Sequence, residues 1–206
     1  MELGITKEKA EEMLDEYVKD SIIKLHMIES EAIMKALAEK FYKEEEPSVV
    51  EAMADKWGII GLLHDIDWEI VKDNPAEHCV RVQEILKNNG ASEFLIETIQ
   101  SHVYGMEIIP AFKDKVRNSK IQHCLVAAET LTGLIVASAL MQPDKKLSSV
   151  SLESLKKKFK SKNFAARCNR DLIAECEKAD IPLDDFLALG LRALQNISGK
   201  LGLYFF

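Results

Sequence analysis

The sequence predicts an all-α protein that folds as a single domain of 206 residues. Three observations predict this class. Gly and Pro number only 9 and 5, so the chain lacks the turn formers that many short strands would need. Apolar residues recur at helical spacing, whereas no stretch alternates as a half-buried strand does. An apolar fraction of 47% beside 30% charged residues is typical of a globular protein with its own core.

Apolar spacing predicts the N-terminal helices. One helix is expected over 7–20, and a second over about 22–41 follows it with little or no break. The acidic run at 44–46 and Pro47 indicate a loop, since proline cannot donate a backbone hydrogen bond and restricts the residue before it. A third helix is then predicted over about 48–64, ending at the segment GLLHDIDWE.

The ends of the next helix are marked most clearly. Asn74, Pro75 and Glu77 are typical of a helix start, and Gly90 is typical of the residue after a helix end. One helix is therefore predicted between residues 74 and 90. A helix that begins at Ser92 is expected to reach about residue 102. Further helices are predicted over about 119–141, 151–160, 170–179 and 184–199.

These elements predict one helical domain over 1–206, with a core over 21–141 and a C-terminal helical extension over 150–206. No linker between predicted helices is long enough to separate two domains. The tail LGLYFF at residues 201–206 is apolar, so we expect it either to pack back on the bundle or to lie in a homodimer interface.

Charge and composition exclude several classes of protein. A net charge of -7 argues against binding a nucleic acid polymer, which usually needs a basic face. The acidic start MELGITKEKAEEML does not resemble a signal peptide, so we expect a cytoplasmic protein. The longest apolar stretch, 125–141, carries Glu129 and is short for a membrane span, which predicts a buried core helix. The four cysteines form no CxxC pair and are interpreted as core thiols.

The histidines are the main clue to function. Four of the five fall on four successive predicted helices, and a metal site in a helical bundle collects its ligands from several helices in this way. His64 and Asp65 are adjacent, about 100° apart around a helix. Both can therefore reach one ion only where the helix ends or is distorted, and the residues 66–68 that follow suit such an end.

Glu129 lies in the middle of the most apolar predicted helix. An isolated charge there would be costly to desolvate, so this carboxyl must be paired, protonated or bound to a metal ion. His123 lies six residues earlier, almost opposite on a regular helix, and is expected to be structural.

Together, His26, the His64-Asp65 pair and an acidic residue on a late apolar helix resemble the HD-domain superfamily of metal-dependent phosphohydrolases. GLLHDIDWE, AAETLTGLI and KKFKSKNFAARCNR resemble a bacterial subgroup of small stand-alone HD proteins. The resemblance implies a primary metal shell of His26, His64, Asp65 and Glu129, although the family usually has aspartate at the last position. It also implies that His78 and His102 hold a second metal ion in binuclear members, with Asp65 bridging the two ions.

Imidazole and carboxylate ligands suit a divalent Fe, Mn, Ni, Co or Zn ion, one or two in number. Such an ion lowers the pKa of bound water and polarises a phosphoryl oxygen. The resemblance thus implies hydrolysis of a small phosphoester, a nucleotide among the candidates, with Asp65 at the reacting centre. Asp67 and Glu69 lie near enough in sequence to serve as proton donor, and Glu69 is the favoured choice.

A phosphorylated substrate also needs positive charge. Seven cations are concentrated in residues 156–170 of an otherwise acidic chain, and an exposed, merely solvated face is the alternative interpretation. The candidates for binding the substrate phosphate are Lys157, Lys158, Lys162, Arg167 and Arg170. Two other functions use the same ligands: a di-iron HD-type oxygenase, and a non-catalytic metal-binding regulatory module.

Overall fold

The fold is all-helical over residues 1–199, the part of the chain that the computed structural model describes. This confirms the predicted fold class. Short 3₁₀ helices at Pro75–Glu77, Ser101–Val103, Leu147–Ser149 and Ala174–Ala179 lie between or beside the α-helices. The α-helices are α1 (Lys7–Tyr17), α2 (Ser21–Phe41), α3 (Pro47–Leu63), α4 (Trp68–Val71), α5 (Val80–Asn88), α6 (Glu93–Gln100), α7 (Lys120–Leu140), α8 (Leu152–Lys160), α9 (Arg170–Ile173) and α10 (Leu183–Ile197).

The helices α2, α3 and α7 form the centre of the domain. Gly61 of α3 lies so close to α2 that a Cβ in its place would stand 2.7 Å from the backbone oxygen of Ser30. Only glycine permits this approach, because it has no Cβ. The close packing of the two helices brings the end of α3 beside the start of α2. Both ends carry a histidine of the predicted site, His64 and His26.

The helix α7 is long and apolar enough to cross a membrane, but 67% of its most apolar window is buried within the protein. It packs against α2, α3, α6 and the C-terminal helices. Leu125, Ala128 and Leu131 are among its fully buried side chains. The predicted buried core helix is thus confirmed.

Two helix boundaries near the N-terminus follow from local hydrogen bonding. The prediction of a helix over 7–20 is three residues too long, because α1 ends at Tyr17. The Asp20 side chain then accepts hydrogen bonds from the backbone N–H groups of Ile22 (2.8 Å) and Ile23 (3.3 Å), which caps α2. The Ser92 hydroxyl caps α6 in the same way, as predicted, by accepting from Leu95.

The prediction of one helix between residues 74 and 90 is wrong. A single 3₁₀ turn is followed by a break at Cys79, which adopts a left-handed conformation with φ of 63°, and α5 begins only at Val80. The buried Asp67 carboxylate accepts hydrogen bonds from the Cys79 backbone N–H (2.7 Å) and from the His78 ring (2.9 Å). This tertiary contact overrides the local helix signals. In a continuous helix, the His78 ring and the Cys79 backbone N–H would not both point at the Asp67 carboxylate.

The C-terminal helices pack on the core rather than standing apart from it. A Cβ on Gly190 of α10 would lie 2.5 Å from the Leu131 side chain of α7. The predicted helix over 170–179 is the four-residue α9 followed by a 3₁₀ helix, so a continuous α-helix there is wrong. The tail 201–206, with its predicted packing or dimer role, lies outside the described residues.

A buried ion pair joins this C-terminal part to the loop before α7. The Arg117 guanidinium donates two hydrogen bonds to the Glu175 carboxylate (2.7 and 2.9 Å), which also accepts one from His123 (2.7 Å). The predicted structural role of His123 agrees with this contact. Despite its burial, hydrogen bonds from Arg117 and His123 lower the pKa of Glu175 from its ordinary 4.5 to about 2.

We expect Glu175→Gln to destabilise the fold by about 3 kcal/mol at pH 7, because the buried Arg117 charge loses its partner. A carboxyl whose pKa is lowered by folding stabilises the fold above its unfolded pKa and loses that effect as pH falls through its folded value. The difference in free energy of unfolding between wild type and Glu175→Gln should therefore become smaller as pH falls from about 5 towards 2. Urea unfolding at several pH values across this range measures the difference.

Asp180→Asn is the control, because the exposed Lys120–Asp180 pair (2.7 Å) should contribute under about 1 kcal/mol. If wild type and Glu175→Gln differed in free energy of unfolding by the same amount at every pH, the role of the Glu175 charge would be contradicted.

Candidate metal centre

Four histidine side chains converge on the Asp65 carboxylate. The Oδ1 atom of Asp65 lies 3.4 Å from His64 Nε2, 3.3 Å from His78 Nε2 and 3.4 Å from His102 Nε2. Its Oδ2 atom lies 3.7 Å from His26 Nε2. The structure thus brings five predicted ligands into one cluster. We name it the donor cluster: His26, His64, Asp65, His78 and His102.

The end of α3 places the first two of these side chains. α3 ends at Leu63, and the chain then turns, with the Ile66 N–H bonded to the Leu63 carbonyl at 3.2 Å. In this turn His64 and Asp65 both face the cluster, while Ile66 is fully buried in the core. The predicted helix end between residues 64 and 68 is confirmed.

The other ring nitrogen of each histidine is committed to an oxygen of the surrounding structure. Carbonyl and carboxylate oxygens can only accept, so these Nδ1 atoms must carry the hydrogen. In the neutral form of each ring, the nitrogen without a hydrogen is therefore Nε2, which faces the cluster. The Nδ1–H groups donate from His26 to the Thr132 hydroxyl (2.9 Å), from His64 to the Gly61 carbonyl (2.8 Å), from His78 to Asp67 (2.9 Å) and from His102 to the Ile99 carbonyl (2.7 Å).

Thr132 accepts this hydrogen bond because its own hydroxyl hydrogen is used elsewhere. Thr132 Oγ1 donates to the backbone carbonyl of Glu129 at 2.7 Å. Its remaining capacity is as an acceptor, so His26 must donate from Nδ1. Thr132 was not among the predicted site residues, and a hydroxyl inside an apolar helix is too common a feature to single it out.

The nitrogen atoms form two close pairs. His26 Nε2 lies 3.1 Å from His64 Nε2, and His78 Nε2 lies 3.2 Å from His102 Nε2. Two nitrogen ligands about 2.1 Å from a shared ion are about 3.0–3.4 Å apart for bond angles between right and tetrahedral. The spacing within each pair therefore suits ligands of one ion, and His26, His64 and Asp65 are close enough to hold one.

The charges of the cluster compensate one another. Although burial opposes it, the nearby imidazoles hold the pKa of Asp65 well below its ordinary value, so it stays ionised. Burial lowers the pKa of His64 to about 3, which keeps its Nε2 unprotonated. Burial also disfavours charge on His78 and His102, but Cys79 and Asp65 raise the pKa of both rings above the ordinary value. A proton and a metal ion would compete for those nitrogens.

Glu129 lies beside the donor cluster but is not joined to it. Its Oε1 accepts a hydrogen bond from the Thr130 hydroxyl at 2.6 Å. Burial raises the pKa of Glu129, and the neighbouring imidazoles oppose that rise. Its predicted role as a metal ligand stays a prediction.

The two predicted proton donors are engaged in other contacts. Both carboxylate oxygens of Asp67 accept hydrogen bonds, from His78 and from the Cys79 backbone, and the side chain is fully buried. Glu69 accepts hydrogen bonds from the backbone N–H groups of Lys19 and Asp20, and so ties α4 to the turn between α1 and α2. These contacts place Asp67 behind the His78 ring and Glu69 at a chain turn, and neither was expected from the sequence.

Cys79 also adjoins the cluster, although the cysteines were interpreted as core thiols. Its sulfur lies 3.9 Å from His102 Nε2 and 3.7 Å from His102 Nδ1. Because it is as near to one ring nitrogen as to the other, the sulfur lies beside the ring and not in front of the Nε2 lone pair. His78, Cys79 and His102 are close enough to hold an ion together, but this rotamer favours a packing contact.

The predicted phosphate-binding residues other than Arg170 divide into two groups. Lys157 pairs with Glu153 (2.9 Å), and the Lys158 ammonium donates to the Ser138 carbonyl (3.2 Å). Lys162 and Arg167 instead line a surface pocket. The same loop carries Cys168, whose sulfur would lie 2.9 Å from a Cβ on Gly133, one helical turn after Glu129. The pocket therefore lies on the loop that borders the Glu129 side of the cluster.

Arg170 organises this loop from within. Its guanidinium makes six hydrogen bonds to backbone carbonyls. All five N–H groups are therefore engaged, and the two on Nη2 are shared among three carbonyls. The acceptors are the carbonyls of residues 158, 159, 161, 164, 165 and 168. In this arrangement Arg170 holds the loop that presents Lys162 and Arg167, and no N–H group is left over for a substrate phosphate.

We expect Arg170→Ala to destabilise the fold by about 2–3 kcal/mol, because several carbonyls lose a charged donor. Arg170→Lys should recover less than half of that loss, since an ammonium cannot replace the planar fork. Thermal and urea unfolding measure both variants. Lys162→Ala and Arg167→Ala are the matched controls and should stay within about 0.5 kcal/mol of wild type. Full stability of the lysine variant would contradict the role of the guanidinium geometry.

Comparison with known proteins adds no relative to this description. No family model matches the chain, and no curated protein and no solved structure matches it. The donor cluster and the residues around it are therefore the features of this chain that bear on its function.

Proposed function

We propose that the chain is a metal-dependent phosphohydrolase that cleaves a small phosphoester, with its metal ions held by the donor cluster. The observation that carries this proposal is the orientation of the four rings. Four histidines direct Nε2 atoms at one ionised carboxylate, and each opposite Nδ1–H is fixed by an oxygen. Lone pairs packed at 3.1–3.2 Å repel one another unless positive charge lies between them.

The donor set fits a divalent first-row ion. Imidazole nitrogen and carboxylate oxygen suit Fe, Mn, Co, Ni and Zn, and the pairing of rings allows one ion for His26 and His64 and another for His78 and His102. Asp65 lies between the pairs and would contact both ions. Each pair with Asp65 supplies three protein ligands, and a site with three protein ligands keeps a position open for water or substrate. Ions at this site would lower the pKa of water and polarise a phosphoryl oxygen.

The chain's own residues set the direction from which a substrate arrives. The side chains of His64 and His102 are only 1% and 4% exposed, whereas His26 and Asp65 are 29% and 16% exposed. A small molecule would therefore reach the cluster past His26 and Asp65. Lys162 and Arg167 on the bordering loop would attract its phosphate and hold it by hydrogen bonds.

The resemblance to the HD-domain superfamily supports the same chemistry, because that family places its metal ligands in this order along the chain. His26, the His64-Asp65 pair, His78 and His102 follow that order. Glu129 stands where the family usually has aspartate, and its Oε1 accepts a hydrogen bond from the Thr130 hydroxyl. We propose that the Glu129 carboxylate contacts the metal ions or their bound water only after a change of side-chain rotamer.

Metal analysis and a phosphatase screen test this function. Protein incubated with Mn²⁺, Fe²⁺, Co²⁺, Ni²⁺ or Zn²⁺ should retain one or two ions per chain and hydrolyse p-nitrophenyl phosphate, its diester or a nucleotide. His64→Ala and Asp65→Ala should each lower metal content and reduce turnover by more than about 100-fold, because a ligand is lost from the site. His123→Ala removes a histidine outside the cluster and should keep both properties.

Three results would point elsewhere. Turnover that persists in Asp65→Ala protein without bound metal would refute the assignment. Oxygen uptake that requires bound iron, without phosphoester hydrolysis, would favour the di-iron oxygenase, since both ring pairs flanking one carboxylate also suit two iron ions. Full metal occupancy with no turnover on any substrate would favour a regulatory module.

A further inference from the structure

We infer that the two histidine pairs form unequal metal subsites, and that the pair His78–His102 binds its ion more tightly than the pair His26–His64 because Asp67 supports it. This inference rests on the proposed metal centre and deepens it. We call the two the supported subsite and the open subsite. They share Asp65, so the difference between them must come from the groups behind the rings.

The supported subsite has a charged group behind one of its ligands. Asp67 is 0% exposed and receives the Nδ1–H of His78 at 2.9 Å. A carboxylate in this position makes the opposite nitrogen a stronger ligand and fixes the orientation of the ring. The second Asp67 oxygen is held by the Cys79 backbone N–H at 2.7 Å, so the carboxylate cannot turn away.

The open subsite has only neutral groups behind its ligands. His26 donates to the Thr132 hydroxyl, and His64 donates to the Gly61 carbonyl. These acceptors fix the tautomer but add no negative charge. His26 is also 29% exposed, compared with 9% for His78, so water screens the open subsite more strongly.

The supported subsite is also braced from behind its second ligand. Arg117 donates to the backbone carbonyls of Ser101 (2.8 Å) and Tyr104 (2.9 Å), which flank His102. The same guanidinium is anchored on Glu175. The turn that carries His102 is therefore fixed to the C-terminal part of the domain, whereas His26 lies in the second turn of α2.

Titration of metal-free protein with Zn²⁺ and Co²⁺ tests this inequality. Competition with a chelator of known affinity gives the two dissociation constants, and the first should be about 10–100-fold lower than the second, the usual effect of such a supporting group. In ¹⁵N-histidine-labelled protein, the first equivalent of Zn²⁺ should shift the Nε2 resonances of His78 and His102 before those of His26 and His64.

Two variants separate the subsites. Asp67→Asn should weaken the first binding step by about 10–100-fold and leave the second unchanged. Thr132→Val should weaken the second step only, and Thr132→Ser should restore it, because serine keeps the hydroxyl. Thr98→Val is the matched control: Thr98 is buried, and its hydroxyl donates to the Phe94 carbonyl and not to a histidine of the cluster. Circular dichroism establishes that each variant folds.

Equal affinities for the two equivalents, or Thr132→Val weakening the first step, would overturn the inference while leaving the metal centre intact. Wild-type protein that binds neither ion would instead refute the proposed function on which the inference rests. If Asp67→Asn does not fold, the threonine variants and the order of the ¹⁵N shifts still decide the question.

Discussion

The orientation of four imidazole rings is the constraint on which the rest of the structure depends. Each ring has its Nδ1–H bound to an oxygen of the frame, which leaves the Nε2 atoms facing Asp65 and one another. Such a set of lone pairs is stable only around positive charge, whether protons or a metal ion. The helices therefore hold the Nε2 atoms closer together than neutral imidazole rings would lie if they were free in water.

Irregular points of the backbone make this arrangement possible. Gly61 lets α3 approach α2 so closely that the ends of the two helices meet, and α3 stops at Leu63 so that His64 and Asp65 can both turn inward. The left-handed conformation of Cys79 interrupts what would otherwise be one helix, and it directs His78 at Asp67. A strained conformation of this kind persists only when its surroundings hold it, and here the buried Asp67 carboxylate does so.

The sequence predicts the fold and the members of the donor cluster better than it predicts the contacts of the residues around that cluster. Helical periodicity is local, so α2, α3, α6 and α7 could be placed from spacing and capping residues alone, and His64-Asp65 could be placed at a helix end. The break at Cys79 could not, because its cause is a carboxylate twelve residues earlier. The positions of Glu69 at the α1–α2 turn and of Arg170 within its loop likewise depend on backbone groups that only the folded chain brings near.

Two aspartates of the segment HDID illustrate how tertiary structure divides similar residues between different roles. Only the core residue Ile66 separates Asp65 from Asp67, yet the two carboxylates approach the His78 ring at different nitrogens, Nε2 and Nδ1. Asp65 lies among the Nε2 atoms of the donor cluster, whereas Asp67 meets a ring from its Nδ1 side and a backbone N–H. A carboxylate that is fully buried and has both oxygens occupied is poorly placed to exchange protons with a substrate. Any effect of Asp67 on chemistry would pass through His78, as a positioning residue for the proposed metal centre.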